Sequence, residues 1–556
     1  MRLPRPARSR SWPAACAAGL AAAVTAALLS PAAASGPGGS DGDDVPGGVE
    51  QEVEQDVEQE RAAPAGCATD ADHPKRQLRA DWIASVSNID WPSAPGLPAA
   101  EQRAELVRYL DEAVGRGLNA VVLQVRPTAD TFWPSDLEPW SAWLTGEAGT
   151  GPGYDPLRFA VREAHARGLK LHAWFNPYRV SQTTDRSALD PESPAAQHPE
   201  WVVEYGGKLY YDPGLPQVRQ LTTDVIMEAV RRYDIDGVHF DDYFYPYPVG
   251  TTPFPDDATF ATYGGGFPDT PEGRADWRRD NVNRLVEGLN QRIHRAKPWV
   301  LFGVSPFAVW RNQATDPQGS ATTAGAETYD DLYADTRRWV REEWIDYVAP
   351  QVYWNIGFAA ADYGVLVPWW SEQVTGTDVQ LYVGQATYKV GVEPVQDPAW
   401  RDPEEMTDHL FFNRDHPQVD GDIYFSAKQV RANRLGHMDL VQFDHYQRPA
   451  LLPVTAGVPG TAPKAVKRLD AERRGQQVRL TWRGSGKAGE RYAVYRLPGR
   501  GVGACDLADA THLLGTTEGP SWRGPAGGTG PATYVVTALD RAHRESKAVS
   551  TLVRGR

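Results

Sequence analysis

At 556 residues the chain is too long for one compact core, so two or more domains are expected. With 41% hydrophobic and 23% charged residues it reads as a globular protein and not a disordered one. A formal net charge of −15 argues against a nucleic-acid partner and against electrostatic attachment to anionic lipid, both of which need a basic face.

Residues 1–34 read as a signal peptide. Arg2, Arg5, Arg8 and Arg10 form a charged start, an Ala/Leu run follows to about Leu29, and Ala32, Ala33 and Ala34 supply the small-residue cleavage pattern. The apolar run is too short to span a membrane and no other stretch approaches that length, so a secreted protein without a transmembrane anchor is expected. Residues 35–76 form an acidic tether, including VEQEVEQDVEQE at 49–60, with nothing to bury and disorder expected. The mature chain keeps only Cys67 and Cys505, whose pairing the sequence leaves open.

From 77 to 452 short apolar runs alternate with amphipathic helical stretches, the pattern of βα units. The eight runs are LRADWIAS (78–85), NAVVLQVRP (119–127), LKLHAWFNPYR (169–179), IDGVHFDDYFYP (235–246), WVLFGVSPF (299–307), IDYVAPQVYW (345–354), VQLYVGQATY (379–388) and DIYFSAK (422–428). Eight such units predict an α/β fold, a (β/α)8 TIM-type barrel. One helix is explicit, with Asp155 as its cap, Pro156 at its first position, an apolar stripe of Leu157, Ala160, Val161 and Ala164, and Gly168 at its end. No Gly-rich phosphate loop follows the first run, so no nucleotide site and no cofactor are expected. Residues 453–464 are a Pro/Gly-rich linker. Over 465–556 the alternating runs VRLTWRG, RYAVYRL and ATYVVTALD predict a small all-β sandwich of fibronectin type III style, with a spacing or attachment role.

In such a barrel the active site lies at the C-terminal strand ends. After the fourth run stand His239, Asp241 and Asp242; alternation puts His239 and Asp241 on one face, and Asp242 at the strand end. Two adjacent carboxylates with separated protonation states suit glycoside cleavage, one donating a proton and the other handling positive charge. The other strand ends present a polar and aromatic set that would bind sugar: Arg126, Asp130, His172, Trp174, Asn176, Tyr178, Arg179, Tyr243, Gln351, Tyr353, Trp354 and Gln385. Of the 19 Trp residues, 16 lie between Trp82 and Trp400, a supply of indole faces for stacking on sugar rings. His172 and His239 lack an HxH, HExxH or Cys cluster, so no metal is expected, and the absence of GxSxG argues against a serine hydrolase.

These runs resemble the bacterial glycosyl hydrolase-like family 10, a barrel family distinct from the xylanases that share its number. The resemblance rests on WIASVSNIDWPS (82–93), LQVRPTADTFWPSDLEPWSAWLTG (123–146), LHAWFNPYRV (171–180), YYDPGLPQVR (210–219), DGVHFDDYFYPYP (236–248), FGVSPFAVWRN (302–312), DDLYADTRRWV (330–340) and APQVYWNIGF (349–358). It implies a glycoside hydrolase in a bacterial envelope setting, secreted or cell-wall associated, acting on peptidoglycan glycan or another amino-sugar polymer. Asp241 and Asp242 occupy the family's DD position. The pair also resembles hexosaminidase barrels in which the substrate's acetamido oxygen is the nucleophile, with Asp242 as acid, Asp241 orienting the acetamido group and Tyr353 bonding its carbonyl. The competing mechanism makes Asp241 the nucleophile and places the acid at Asp130 or Asp212. The alternative to an enzyme is a non-catalytic glycan-binding barrel.

Overall fold

The computed structural model describes residues 67–393, 397–487 and 489–555. The expected signal peptide and residues 35–66 of the tether lie outside the described residues. Eight parallel strands close into a barrel, seven inside the apolar runs and the eighth starting at Val419, three residues before its run. They are β1 (Leu78–Ile83), β2 (Ala120–Arg126), β3 (Lys170–Phe175), β4 (Gly237–Phe240), β5 (Leu301–Val304), β6 (Tyr347–Val348), β7 (Gln380–Gln385) and β8 (Val419–Tyr424). β8 closes on β1, with Leu78 opposite Gly421 and Asp81 opposite Tyr424. The helix Pro156–Ala166 forms as the sequence requires, with the Asp155 carboxylate accepting from Arg158 N at 2.9 Å. Among the described residues no helix is long and apolar enough to cross a membrane.

Alternation decides which side chains fill the barrel. Ala80, Trp82 and Ala84 of the first unit, Ala120 and Val122, Trp174, Leu301, Tyr347 and Ala349, Tyr382 and Ile423 form one interior cluster. Large rings fit because glycines stand opposite them. A Cβ at Gly303 would lie 2.1 Å from the Tyr347 ring, and one at Gly237 would lie 2.7 Å from the His172 ring.

A polar chain runs through this interior. Trp82 Nε1 donates to His239 Nε2 at 3.0 Å, and the Tyr347 hydroxyl lies 2.9 Å from His239 Nδ1 and 3.0 Å from His172 Nδ1. An indole N–H can only donate, so His239 Nε2 carries no proton and Nδ1–H donates to Tyr347. Tyr347 then donates to His172 Nδ1. Burial lowers both imidazoles, His172 to about 4 and His239 well below its ordinary value, so both rings are neutral core members.

Between β3 and β4 the chain inserts a three-stranded antiparallel sheet of Arg179–Ser181, Lys208–Tyr211 and Val202–Tyr205, which the sequence pattern did not announce. The C-terminal residues build two packed antiparallel sheets. One has the strands Lys467–Arg474, Gln477–Arg483 and Ser521–Pro525; the other has Leu513–Thr517, Arg491–Pro498, Ala532–Leu539 and Val549–Val553. Val478, Leu480, Tyr492, Val494, Tyr534 and Val536 form their shared core.

This sandwich docks on the end of the barrel where the strands begin. Arg541 donates to Asp234 at 2.8 Å just before β4 and Arg491 donates to Gly168 O at 2.7 Å just before β3, while Gln380 at the start of β7 holds the linker by donating to Val454 O at 2.9 Å. Residues 67–76 depart from the disordered tether expected of them. Arg76 donates to Leu452 O and His543 O, Lys75 pairs with Glu545 at 2.7 Å, and Cys67 is disulfide-bonded to Cys505 across 438 residues of sequence. Short polar residues find partners here because the sandwich supplies them. Cys67→Ser should lower stability by about 2–5 kcal/mol, chiefly by releasing a long loop in the unfolded chain. The check is the urea midpoint of oxidised wild type against the variant; coincident curves would show that the bridge contributes nothing.

Candidate active site

Asp241 and Asp242 stand at the C-terminal mouth, directly after β4, 5% and 7% exposed. Asp241 continues the inward parity of Gly237 and His239. Asn176 Nδ2 donates to Asp241 Oδ2 at 2.6 Å, Trp174 Nε1 donates to the same oxygen at 3.2 Å, and Tyr243 N donates to Oδ1 at 3.3 Å. Asn176 is itself fixed. Its Oδ1 accepts from Gln124 Nε2 at 2.6 Å and from Arg179 at 2.7 Å, so its amide can only present N–H groups to Asp241. Gln124 is anchored in turn by the backbone N–H groups of Ser85 and Val86, which donate to its Oε1 at 2.9 and 2.8 Å.

Asp242 has a different setting. Its Oδ2 bonds to the Tyr247 hydroxyl, and Gln351 Nε2 donates to its Oδ1 at 3.2 Å. Gln351 is held from behind by Ser305 O at 2.9 Å. A phenol hydroxyl can accept as well as donate, whereas amide, indole and backbone N–H groups only donate. Asp242 can therefore carry a proton toward Tyr247 Oη, while Asp241 Oδ2, flanked by two N–H donors, cannot. Burial, then the adjacent Asp242 charge, pushes Asp241 up to about 7, and burial raises Asp242. Two carboxylates this close do not both ionise readily, so the pair keeps one proton into the neutral range. The Tyr247 hydroxyl gives Asp242 a partner able to accept that proton.

Rings leave the pair in two directions. Tyr243 meets Tyr247, Tyr247 meets Phe307 and Phe307 meets Trp354, with centroids 5.9, 6.3 and 5.4 Å apart. Tyr353 packs on Tyr388 at 5.6 Å and on Phe425 at 6.1 Å. Tyr243, Tyr247, Trp354 and Tyr353 are all half-buried, which leaves ring surface for a ligand. Arg179 lies over the Tyr243 ring at 5.1 Å and is the cation that lowers both aspartates against the effect of burial.

Five residues expected to bind substrate are held elsewhere. Gln385 faces outward because Tyr382 and Gly384 take the inward positions of β7. It donates to Tyr363 at 2.9 Å and to Asp422 at 2.8 Å, and its Oε1 lies 2.9 Å from His409 Nδ1, all between the barrel wall and its helices. Tyr178 is 1% exposed within the main core. His172 is at the start of β3, two inward positions below the mouth. Arg126 is fully buried, donating to Glu138 at 2.7 Å and to the carbonyls of Asn176 and Pro177. His239 and Trp174, also expected to touch substrate, lie beneath the aspartates. Asp130 accepts from Thr128 N and Oγ1, both at 2.9 Å, and Asp212 accepts from Gly214 N at 2.9 Å and from Thr259. Both are engaged within their own surroundings, away from the hydrogen bonds of the pair. Tyr247 and Ser305 join the site, and Glu138 and Tyr347 support it. Only Tyr247 carried a signal, as part of the aromatic run after the acids.

Comparison with known proteins matches residues 77–402 to the family described as Glycosyl hydrolase-like 10. The chain belongs to this family. Glycosyl hydrolase YngK of Bacillus subtilis (strain 168) is 47% identical over 85% of the chain and 92% of its own length. Glycosyl hydrolase DigH of Escherichia coli (strain K12) is 42% identical over 65% of the chain and 86% of its own. Among solved structures, the PgaB (BpsB) glycoside hydrolase domain from Bordetella bronchiseptica covers 67% of the chain and 99% of its own length, with 14% identity and a TM-score of 0.43. This family member is a glycoside hydrolase.

Proposed function

We propose that the hydrolase is secreted and cleaves O-glycosidic bonds of a cell-envelope glycan, peptidoglycan or another amino-sugar polymer, by carboxylate acid/base chemistry. The observation that carries this reading is the unequal hydrogen bonding of the two aspartates. Asp242 protonates the glycosidic oxygen as the bond from C1 breaks. The acetamido oxygen of the same sugar closes on C1, and anionic Asp241 orients that group and stabilises the oxazolinium cation. Water then opens the ring and returns its proton to Asp242, restoring the starting state. Tyr353, whose hydroxyl is raised by burial and by the nearby Tyr388, Asp242 and Asp241, stays protonated and donates to the acetamido carbonyl.

Secretion is supported by the charged, apolar, small-residue order of residues 1–34 and by the Cys67–Cys505 disulfide, a bond that persists in oxidising compartments. The three-and-four division of the C-terminal strands supports a fibronectin type III-like sandwich. The test is incubation of the secreted form with denuded peptidoglycan glycan, chitin-type and α-glucan polymers, with products read by mass. Cleavage confined to amino-sugar polymers is expected. Cleavage of α-glucan alone overturns the substrate class, and binding without new reducing ends overturns the hydrolytic role.

A further inference from the structure

The net charge of −15 averages two opposed parts. Residues 465–556 contain 16 Lys and Arg against 8 Asp and Glu, a net charge of +8, which leaves −23 for residues 1–464. Five of these cations, Lys467, Arg474, Arg479, Arg483 and Arg523, share one face. In the three-stranded sheet Val478, Leu480 and Trp482 point into the core, so Arg479 and Arg483 point to solvent. The register aligns Arg479 with Arg523 on one side, and Arg483 with Lys467 on the other; exposed Arg474 extends the row. Two acids share this face: Glu472, opposite Arg479, accepts from Arg474 at 2.8 Å, and exposed Asp470 stands opposite Thr481. Arg523 Nε donates to Gln477 at 2.6 Å. Among the described residues Arg479, Arg483 and Arg523 form no ion pair.

Neighbouring strands are about 4.8 Å apart and same-face residues along a strand about 6.8 Å apart, so the backbone positions that carry these cations recur at that spacing, with Asp470 and Glu472 among them. Such spacing is of the order that separates successive phosphates in an extended phosphodiester chain. Planar guanidinium forks match phosphate geometry better than ammonium groups do, and arginine predominates here. The face carries no exposed aromatic ring, since Trp482 and Trp522 belong to the core side, and so it lacks the stacking platforms single-stranded nucleic acid uses. It also lacks the exposed apolar side chains that would enter a lipid surface.

We propose that this face docks a base-free phosphodiester polymer, a chain of polyol or sugar phosphates. The sandwich occupies the barrel end opposite the Asp241–Asp242 mouth, so such a polymer would hold the enzyme without entering its cleft. This is independent of which glycan the barrel cleaves. The test titrates the intact, oxidised protein with poly(glycerol phosphate) between about 50 and 200 mM salt. Binding that weakens steeply with salt is expected, and Arg479→Gln/Arg483→Gln/Arg523→Gln should weaken it about tenfold or more. The comparison variant Arg500→Gln/Lys547→Gln/Arg554→Gln removes the same charge from exposed positions outside that sheet and should stay within about twofold of wild type. Thermal unfolding of both variants confirms that the sandwich is intact. The proposal fails if wild type does not bind, if both variants lose affinity equally, or if single-stranded nucleic acid or anionic phospholipid vesicles bind more tightly than the polymer.

Discussion

Asp242→Asn is expected to lower turnover of a cleaved glycan by about 10²–10⁴-fold, because it removes the group that donates the proton in the proposed mechanism. Asp241→Asn should cause a loss of similar size for a different reason. An amide at that position faces the N–H donors of Asn176 and Trp174 and offers no negative charge to the forming cation. The pH profile follows from the pair. Burial and mutual repulsion hold one proton on the pair up to about 7, so the singly protonated pair is lost as pH rises through about 7, and the rate falls on that limb. Stability carries the opposite sign from the usual salt-bridged carboxylate. A folded-state pKa above the unfolded value makes ionisation destabilising, beginning above the unfolded pKa near 4 and complete above about 7. Asp241→Asn should therefore raise the unfolding midpoint at pH 8 and leave it unchanged near pH 4. Kinetics on a glycan the wild type cleaves, with thermal melts at both pH values, check both halves. Full activity in either mutant would remove the pair from the chemistry.

Glu138→Ala should cost about 3–5 kcal/mol of stability, because it strands a charged guanidinium in the core. Both side chains of the Arg126–Glu138 pair are fully buried. Arg126 also grips the carbonyls of Asn176 and Pro177, so the pair holds the backbone that aims Asn176 at Asp241. Arg126→Met combined with Glu138→Leu removes both charges and should recover most of the stability. Turnover should remain low in that double variant, since nothing then holds the Asn176 carbonyl. Unfolding midpoints and turnover measured on the single and double variants separate the two roles. A double variant with full turnover would reduce Arg126 to a core residue.

The barrel was legible because each strand is a continuous apolar run whose length and spacing suit a buried parallel strand. The acid pair was legible by its place after the fourth run. What failed was the second-order reading of parity. Gln385 and Gln351 are both strand-end glutamines, yet one faces the helices and the other touches Asp242, a difference set by which residues of β6 and β7 point inward. His172 and His239 look like ligands in isolation, and only the Tyr347 hydroxyl between them shows why the barrel needs both. The inserted sheet over Arg179–Tyr211 escaped because its short strands lack a period and are interrupted by loops rich in Asp, Glu and Pro. The whole-chain charge averages an acidic barrel with a basic sandwich, a division visible only when the two parts are counted separately.

The Cys67–Cys505 bond has a mechanical meaning. Tension applied between residue 67 and the C-terminus travels through the disulfide and then along the 51 residues that follow Cys505, all within the sandwich. The barrel and linker lie in the closed loop between the two cysteines and carry none of that load. While the bridge is intact, 438 residues, roughly 1,500 Å of extended chain, cannot be paid out, so the mouth keeps its shape under stretch. Reduction places the catalytic barrel in series with the pull.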